Sequence, residues 1–248
     1  MPHIQVADAR FFYEDIGLGD PVLFLHGGYS RGIIAFSGQI QPFFHSYRCL
    51  LPDLRGHGRT VSENSYWDTP LMAQDMLGFL TALGIQSAHL IGYSMGGGIA
   101  LHLAASAPER VKSVITIGTG GIADPTGADA YEPEALLASG QTDFIKQMKA
   151  LHGDAHRGDW QQYLRLSARD WRLYPNLSQE DWQRLSMPCL FIGGEKDTFA
   201  SLKHLSDMQA RCAQAQICVI PGTGHRPHMP SEQARAVNEI MLNFLKGI

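Results

Sequence analysis

Charge is scarce in this chain, and cysteine scarcer still. Acidic and basic residues together make up 18% of 248 positions, and 24 Asp and Glu against 20 Lys and Arg leave a formal charge of −4. So small a negative balance gives no electrostatic reason to expect nucleic acid or an anionic membrane as a partner. Long hydrophobic runs are missing too. No apolar stretch approaches the roughly 20 residues that span a bilayer, and Met1-Pro2-His3-Ile4 lacks the basic region and apolar stretch of a secretory signal. The four cysteines are Cys49, Cys189, Cys212 and Cys218. None has CxxC spacing, which removes the usual redox pair and zinc site. Cys49 and Cys189 lie in apolar, strand-like runs and read as buried thiols. A Cys212–Cys218 bridge stays open, and a reduced, cytoplasmic setting is expected. There is no P-loop, and the eleven histidines include no HExxH or comparable cluster. Gly118-Thr119-Gly120-Gly121-Ile122-Ala123 fits G-x-G-x-x-A, but it runs into Asp124-Pro125-Thr126-Gly127, a turn. A dinucleotide site needs a helix N-terminus there for its pyrophosphate. No cofactor and no metal are expected.

What is present is a core-forming composition, 44% hydrophobic, with short β-rich runs alternating with helical patterns. Strands are expected at 10–16, 22–25, 48–51, 88–93, 113–118, 189–193 and 217–220. Helices are expected at 31–45, 95–105, 201–213 and 231–246. A further helix should start at an Asp68 cap, carry Pro70 in its first turn, and run to Leu83 with Gly84 closing it. Alternation of this kind implies parallel strands joined by crossover helices. The fold class is α/β, with a mostly parallel central sheet of about eight strands and helices on both faces. Residues 119–187 break the rhythm with helix-like segments at 131–139, 142–151, 160–171 and 178–185. They carry Trp160, Trp171 and Trp182, too much apolar surface for a linker. The expected organisation is a core of 1–118 and 188–248 with a helical insertion at 119–187. The tryptophans are expected to pack that insertion, and secondarily to line a pocket.

The strongest local signal is Gly92-Tyr93-Ser94-Met95-Gly96, between the run Ala88-His89-Leu90-Ile91 and Gly97-Gly98-Ile99-Ala100-Leu101. Strand, sharp turn and helix form the context of a nucleophile elbow. The turn is strained, so its close neighbours must lack bulky side chains, and glycines two before and two after the serine meet that need. Ser94 is the candidate nucleophile. A serine hydroxyl needs a general base, and Gly222-Thr223-Gly224-His225 follows a strand, so His225 is the candidate, with His228 as rival. Asp197, just past the strand Phe191-Ile192-Gly193, is the candidate to orient the base. Glu195 and Asp124 are weaker rivals. The oxyanion of an acyl intermediate needs donors. The Met95 amide is one, and the second should come from His26-Gly27-Gly28-Tyr29, with Gly28 preferred and Gly27 as fallback. His102, on the helix after Ser94, reads as a packed side chain.

Taken in order, His26-Gly27-Gly28, Asp53-Leu54-Arg55-Gly56-His57-Gly58-Arg59-Thr60, the Ser94 elbow and Gly224-His225 resemble the α/β-hydrolase fold family, in its serine esterase and lipase-like branch. Chain order Ser94, Asp197, His225 is also that family's. The resemblance implies that the Asp53–Thr60 segment is structural, with Thr60 where serine is commoner, and that residues 119–187 cap the pocket. It points to hydrolysis of a carboxylic ester of a small to medium, fairly apolar group. Carbon–carbon bond cleavage of a dienoic diketone and lactone hydrolysis stay open with the same triad, as does a ligand-binding receptor with slow turnover. A nucleophilic aspartate, which epoxide hydrolases and haloalkane dehalogenases would carry, is absent. The expected partner is a small-molecule substrate, with nothing to separate monomer from homodimer.

Overall fold

The computed structural model describes residues 2–248. In chain order the elements are β1 (His3–Val6), β2 (Ala9–Ile16), β3 (Asp20–Leu25), α1 (Gly32–Ala35), α2 (Ile40–Phe43), β4 (Tyr47–Pro52), β5 (Val61–Ser62), α3 (Thr69–Ala82), β6 (Ala88–Tyr93), α4 (Met95–Ser106) and β7 (Val111–Ile117). There follow α5 (Pro133–Ala138), α6 (Thr142–Leu151), α7 (Gly153–His156), α8 (Trp160–Leu173), α9 (Gln179–Arg184), β8 (Cys189–Gly194), α10 (Leu202–Arg211), β9 (Ala215–Ile220) and α11 (Ala234–Lys246). Nine strands form one sheet in the order β1-β2-β4-β3-β6-β7-β8-β9, with β5 paired to β2. From β4 through β9 every pairing is parallel. Only the N-terminal strands and β5 run antiparallel.

The central strands are apolar on both faces, because a parallel sheet covered by helices leaves neither face to water. β6 and β8 are buried along their whole length. One apolar cluster lies on the α3 and α4 side, around Phe79, Leu80, Leu101 and Phe11. The other gathers Phe24, Phe36, Phe43, Ile192 and Met241 beneath α11. α3 begins as its sequence dictates. The Asp68 carboxylate accepts from the Leu71 amide, Pro70 sits in the first turn, and Gly84 closes the helix at φ +69°.

One expectation is corrected. The single helix at 31–45 is two isolated turns, α1 and α2. A Cβ on Gly32 would come within 2.8 Å of the Leu51 carbonyl oxygen, and one on Gly38 within 3.2 Å of Pro230. The chain there is packed against its neighbours at glycines that disfavour helix. The nine strands agree with the expected count of about eight, and β1 and the two-residue β5 are too short to leave a periodic signal. All four cysteines are free, so there is no Cys212–Cys218 bridge. Among the described residues no helix is long and apolar enough to cross a membrane.

Residues between β7 and β8 hold five α-helices, tied to the rest of the chain by an apolar cluster that runs from the core into them and by hydrogen bonds. The Gly58 amide donates to His152 Nδ1 at 2.9 Å. The Thr69 amide and hydroxyl donate to Asp170 at 2.7 and 2.9 Å. Arg157 donates to the Ser62 carbonyl. α9 sits against α4, and its Trp182 packs edge-on to Phe191 of β8, 6.4 Å away. That tryptophan therefore belongs to the main core.

Candidate active site

Ser94 follows the last residue of β6 with φ +52° and ψ −118°. This is a strained conformation for a residue with a Cβ. The chain holds it from several sides. The Ser94 amide donates to the Ile117 carbonyl at 2.8 Å, and the Ser94 carbonyl accepts from Gly97 at 2.9 Å and from the Thr119 hydroxyl at 2.9 Å. The two elbow glycines are obligatory for space. A Cβ on Gly92 would lie 2.2 Å from the Gly96 carbonyl oxygen, and one on Gly96 would lie 1.9 Å from that of Leu25.

Two loops at the carboxyl ends of β8 and β9 bring in the remaining groups. His225 Nε2 is 3.1 Å from Ser94 Oγ, and its Nδ1 is 2.9 Å from Asp197 Oδ2. Asp197 Oδ1 accepts from the amides of Phe199 and Ala200 at 2.9 and 3.2 Å. Burial pushes the Asp197 carboxyl up, but the hydrogen bonds from His225 and the two amides outweigh it. The group is held below the ordinary carboxylate range. With Asp197 ionised, His225 carries its proton on Nδ1 and offers the Nε2 lone pair to the Ser94 hydroxyl.

The rivals lie elsewhere. His228 is fully buried against Phe36 and Tyr93, where burial drives its imidazole down to about 3. Glu195 accepts from the Gly222 amide at 2.8 Å on the exposed side of the loop. Asp124 reaches the cavity wall but is tied to its own turn through the Thr126 amide. His102 packs edge-on to Tyr174.

Gly28 and Met95 line the same cavity as Ser94. Gly27 is packed beneath, where a Cβ would meet the Tyr93 ring at 2.8 Å. His26, which the sequence motif marks with no role of its own, positions this loop. The Leu54 amide donates to His26 Nε2 at 3.0 Å, so the proton sits on Nδ1 and is donated to the Gly27 carbonyl at 2.8 Å. That carbonyl shares a peptide unit with the Gly28 N–H, which is thereby fixed pointing the opposite way. The signal for this was a buried histidine flanked by strand and glycine.

The Asp53 segment is scaffolding. Asp53 accepts from the Gly32 amide at 3.2 Å and from the Arg59 amide and Nε at 3.0 and 2.8 Å. Arg55 is buried in a pair with Asp75 at 2.6 Å and with Asp8 at 2.7 Å. The Thr60 hydroxyl bridges the Asp53 carbonyl and the Phe12 amide, which a serine hydroxyl could do equally.

The cavity in front of Ser94 has a volume of about 310 Å³, at the small end of ligand pockets. Tyr29, Tyr131, Trp171, Tyr174 and Phe199 supply aromatic walls, and Thr69, Ser167 and Asp170 supply polar atoms. Trp160 is not among the lining residues; it lies under the Lys149 ammonium. Of the three tryptophans, only Trp171 meets the cavity.

A family model described as the alpha/beta hydrolase family matches residues 22–240. The chain belongs to that family. This hydrolase is 30% identical, over 270 aligned positions, to a 2-hydroxy-6-oxo-6-phenylhexa-2,4-dienoate hydrolase of Burkholderia cepacia, covering 97% of this chain and 92% of that protein. It is 29% identical to a 2-hydroxy-6-oxononadienedioate/2-hydroxy-6-oxononatrienedioate hydrolase of Comamonas testosteroni, with the same coverage, 97% and 92%. Among solved structures, an esterase from Exiguobacterium antarcticum superimposes with a TM-score of 0.80 at 22% identity, covering 98% of each chain. A meta-cleavage product hydrolase from Pseudomonas fluorescens IP01 gives 0.80 at 22% identity, covering 100% of this chain and 98% of that one. At such identity these two structures speak for the fold.

Proposed function

We propose that the chain is a serine hydrolase that cleaves a carboxylic ester of a small to medium, fairly apolar substrate through an acyl-enzyme on Ser94. The observation carrying this reading is the continuous line Asp197–His225–Ser94, with spacings of 2.9 and 3.1 Å, opening on an aromatic cavity. His225 takes the Ser94 proton as Oγ attacks the ester carbonyl, and Asp197 stabilises the imidazolium. The Gly28 and Met95 amides receive the oxyanion, where each donor is worth about 3 to 4 kcal/mol. His225 then returns the proton to the leaving alkoxide, and the same group activates water to release the acyl chain. No cofactor enters these steps.

Residues 119–187 serve as the cap of this reading, with 1–118 and 188–248 as the catalytic core. What supports this is that Tyr131, Ser167, Trp171 and Tyr174 reach the cavity that holds Ser94.

Carbon–carbon cleavage of a dienoate is the second reading, favoured by the dienoate hydrolases among the relatives. Such a substrate brings a carboxylate. Arg226 is the one cation among the lining residues, against Asp124 and Asp170, and this balance disfavours a substrate that carries a carboxylate. The test is a panel of p-nitrophenyl esters of increasing chain length, run beside dienoates and lactones. Multiple turnovers of short to medium esters support the ester reading. Turnover of dienoates alone would replace it, and a single slow turnover would point to a receptor.

A further inference from the structure

A buried carboxylate in the cavity takes no part in the chemistry above. Asp170 stands on α8, is 4% exposed, and lines the cavity that holds Ser94. Its Oδ1 accepts from the Thr69 amide at 2.7 Å and its Oδ2 from the Thr69 hydroxyl at 2.9 Å. Each oxygen thus keeps acceptor capacity unused. No lysine or arginine forms an ion pair with it among the described residues. Its chain neighbour Arg169 turns outward to the Tyr66 hydroxyl. Arg172 pairs with Asp129 and Glu132.

Two neutral donors are thin compensation for a buried charge. Burial pushes the Asp170 carboxyl up to about 6, against the pull of the Thr69 bonds, as expected of a carboxylate still short of a positive partner. Around the same space stand Trp171, Tyr131, Tyr29 and Tyr174. Aromatic faces attract a cation and do so more strongly when water is excluded. Carboxylate and aromatic walls therefore select for the same ligand charge.

We propose that Asp170 is a specificity residue that receives a cationic chain end, an ammonium group, carried by an otherwise apolar ester. The inference rests on the ester reading and adds to it the charge of the group held beyond the scissile bond. Asp170 also clamps α8 to the start of α3 through Thr69, so its test must separate charge from scaffolding. Asp170→Asn does so, since its amide oxygen can still accept from the Thr69 amide while the charge is gone.

Two matched ester pairs probe the acyl and alcohol sides. One is p-nitrophenyl 6-(trimethylammonio)hexanoate against p-nitrophenyl 7,7-dimethyloctanoate. The other is the acetate of 2-(trimethylammonio)ethanol against that of 3,3-dimethylbutanol. In the wild type, at least one pair should favour the cation by tenfold or more in kcat/KM, carried mainly by KM. In Asp170→Asn the preference should fall to threefold or less, with an unchanged circular dichroism spectrum. Absence of any preference in the wild type overturns the proposal, as does a preference that survives the substitution. Binding of benzyltrimethylammonium to the Ser94→Ala variant, followed by tryptophan fluorescence, decides the matter even where no ester turns over. Saturable binding weakened tenfold by Asp170→Asn supports the cationic site while the ester reading falls. Equal binding, or none, removes the site whatever the reaction is.

Discussion

Replacing Asp197 by asparagine should cripple turnover without loosening the fold, and the hydrogen bonds around it say why. Oδ1 is pinned by the amides of Phe199 and Ala200. Asparagine must keep its carbonyl oxygen there, because its NH₂ would face two donors. The NH₂ is then left at the position of Oδ2, 2.9 Å from His225 Nδ1. Two N–H groups cannot face each other at that distance, so the imidazole adopts the other tautomer. Nε2 then carries the proton and points it at Ser94 Oγ, and the base has become a donor. The loss expected from such a tautomer error is about 10³- to 10⁴-fold in kcat, or roughly 4 to 5.5 kcal/mol at about 1.36 kcal/mol per decade. Both loop amides stay bonded, so the thermal midpoint should move little. The assay is steady-state hydrolysis of a p-nitrophenyl ester at neutral pH, with thermal melting alongside. A drop of less than tenfold in a folded variant would refute the reasoning.

Ser94→Ala should abolish turnover, and an organophosphorus probe should label the wild type at Ser94 alone; labelling elsewhere contradicts the assignment. His225→Ala should cost a thousandfold or more in kcat, and the His225→Ala, Asp197→Asn double variant little beyond that, whereas a larger catalytic loss from His228→Ala would show the wrong base was chosen. Trp171→Ala should change KM and chain-length preference while Trp160→Ala leaves both within twofold, checked on the same ester panel. Acid should destabilise the protein through its buried imidazoles. Burial holds His57 and His228 down at about 3 in the folded state against roughly 6.5 when unfolded, so the unfolded chain binds more protons between those values. Stability therefore falls as pH drops from about 6.5 toward 3, by at most about 1.4 kcal/mol per unit for each group. Asp170, raised to about 6, acts in the opposite sense, its share being lost as pH rises from its unfolded value near 3.8 through 6. Melting curves at pH 7 and 5 should show a net fall, and His228→Leu should flatten it; an unchanged slope in that variant rejects the account.

The residues that the structure brings together at the candidate site were legible where backbone geometry leaves a mark in residue type. The Ser94 elbow demands glycine at 92 and 96, and His225 and Asp197 each close a strand that announces itself by an apolar run. α3 was readable at both ends for the same reason, through Asp68 and Gly84. What stayed hidden depends on partners distant in sequence. Gly32 and Gly38 reflect contacts with Leu51 and Pro230, and β1 and β5 take their register from β2. Trp160 and Trp171 stand eleven positions apart on nearly the same face of α8, and only where along its axis the helix passes the cavity decides which one meets it. The importance of Asp170 was likewise invisible, since its partner Thr69 stands 101 positions away.

Three of the hydrogen-bonded ties between residues 119–187 and the rest of the chain land on one short stretch, at Gly58, Ser62 and Thr69. Under the proposed cap reading, this stretch is the seam about which the segment would swing. Parting it there would strand His152 and Asp170, both buried, without their donors. On another border of the cavity, Ile122 and Phe199 are already 45% and 39% exposed, and their apolar side chains make no hydrogen bond that would have to break. Traffic to Ser94 should therefore pass by Phe199, one step from the Asp197 loop. A bulkier residue at Ile122 should slow entry and exit of long esters, leaving acylation by the shortest ones untouched.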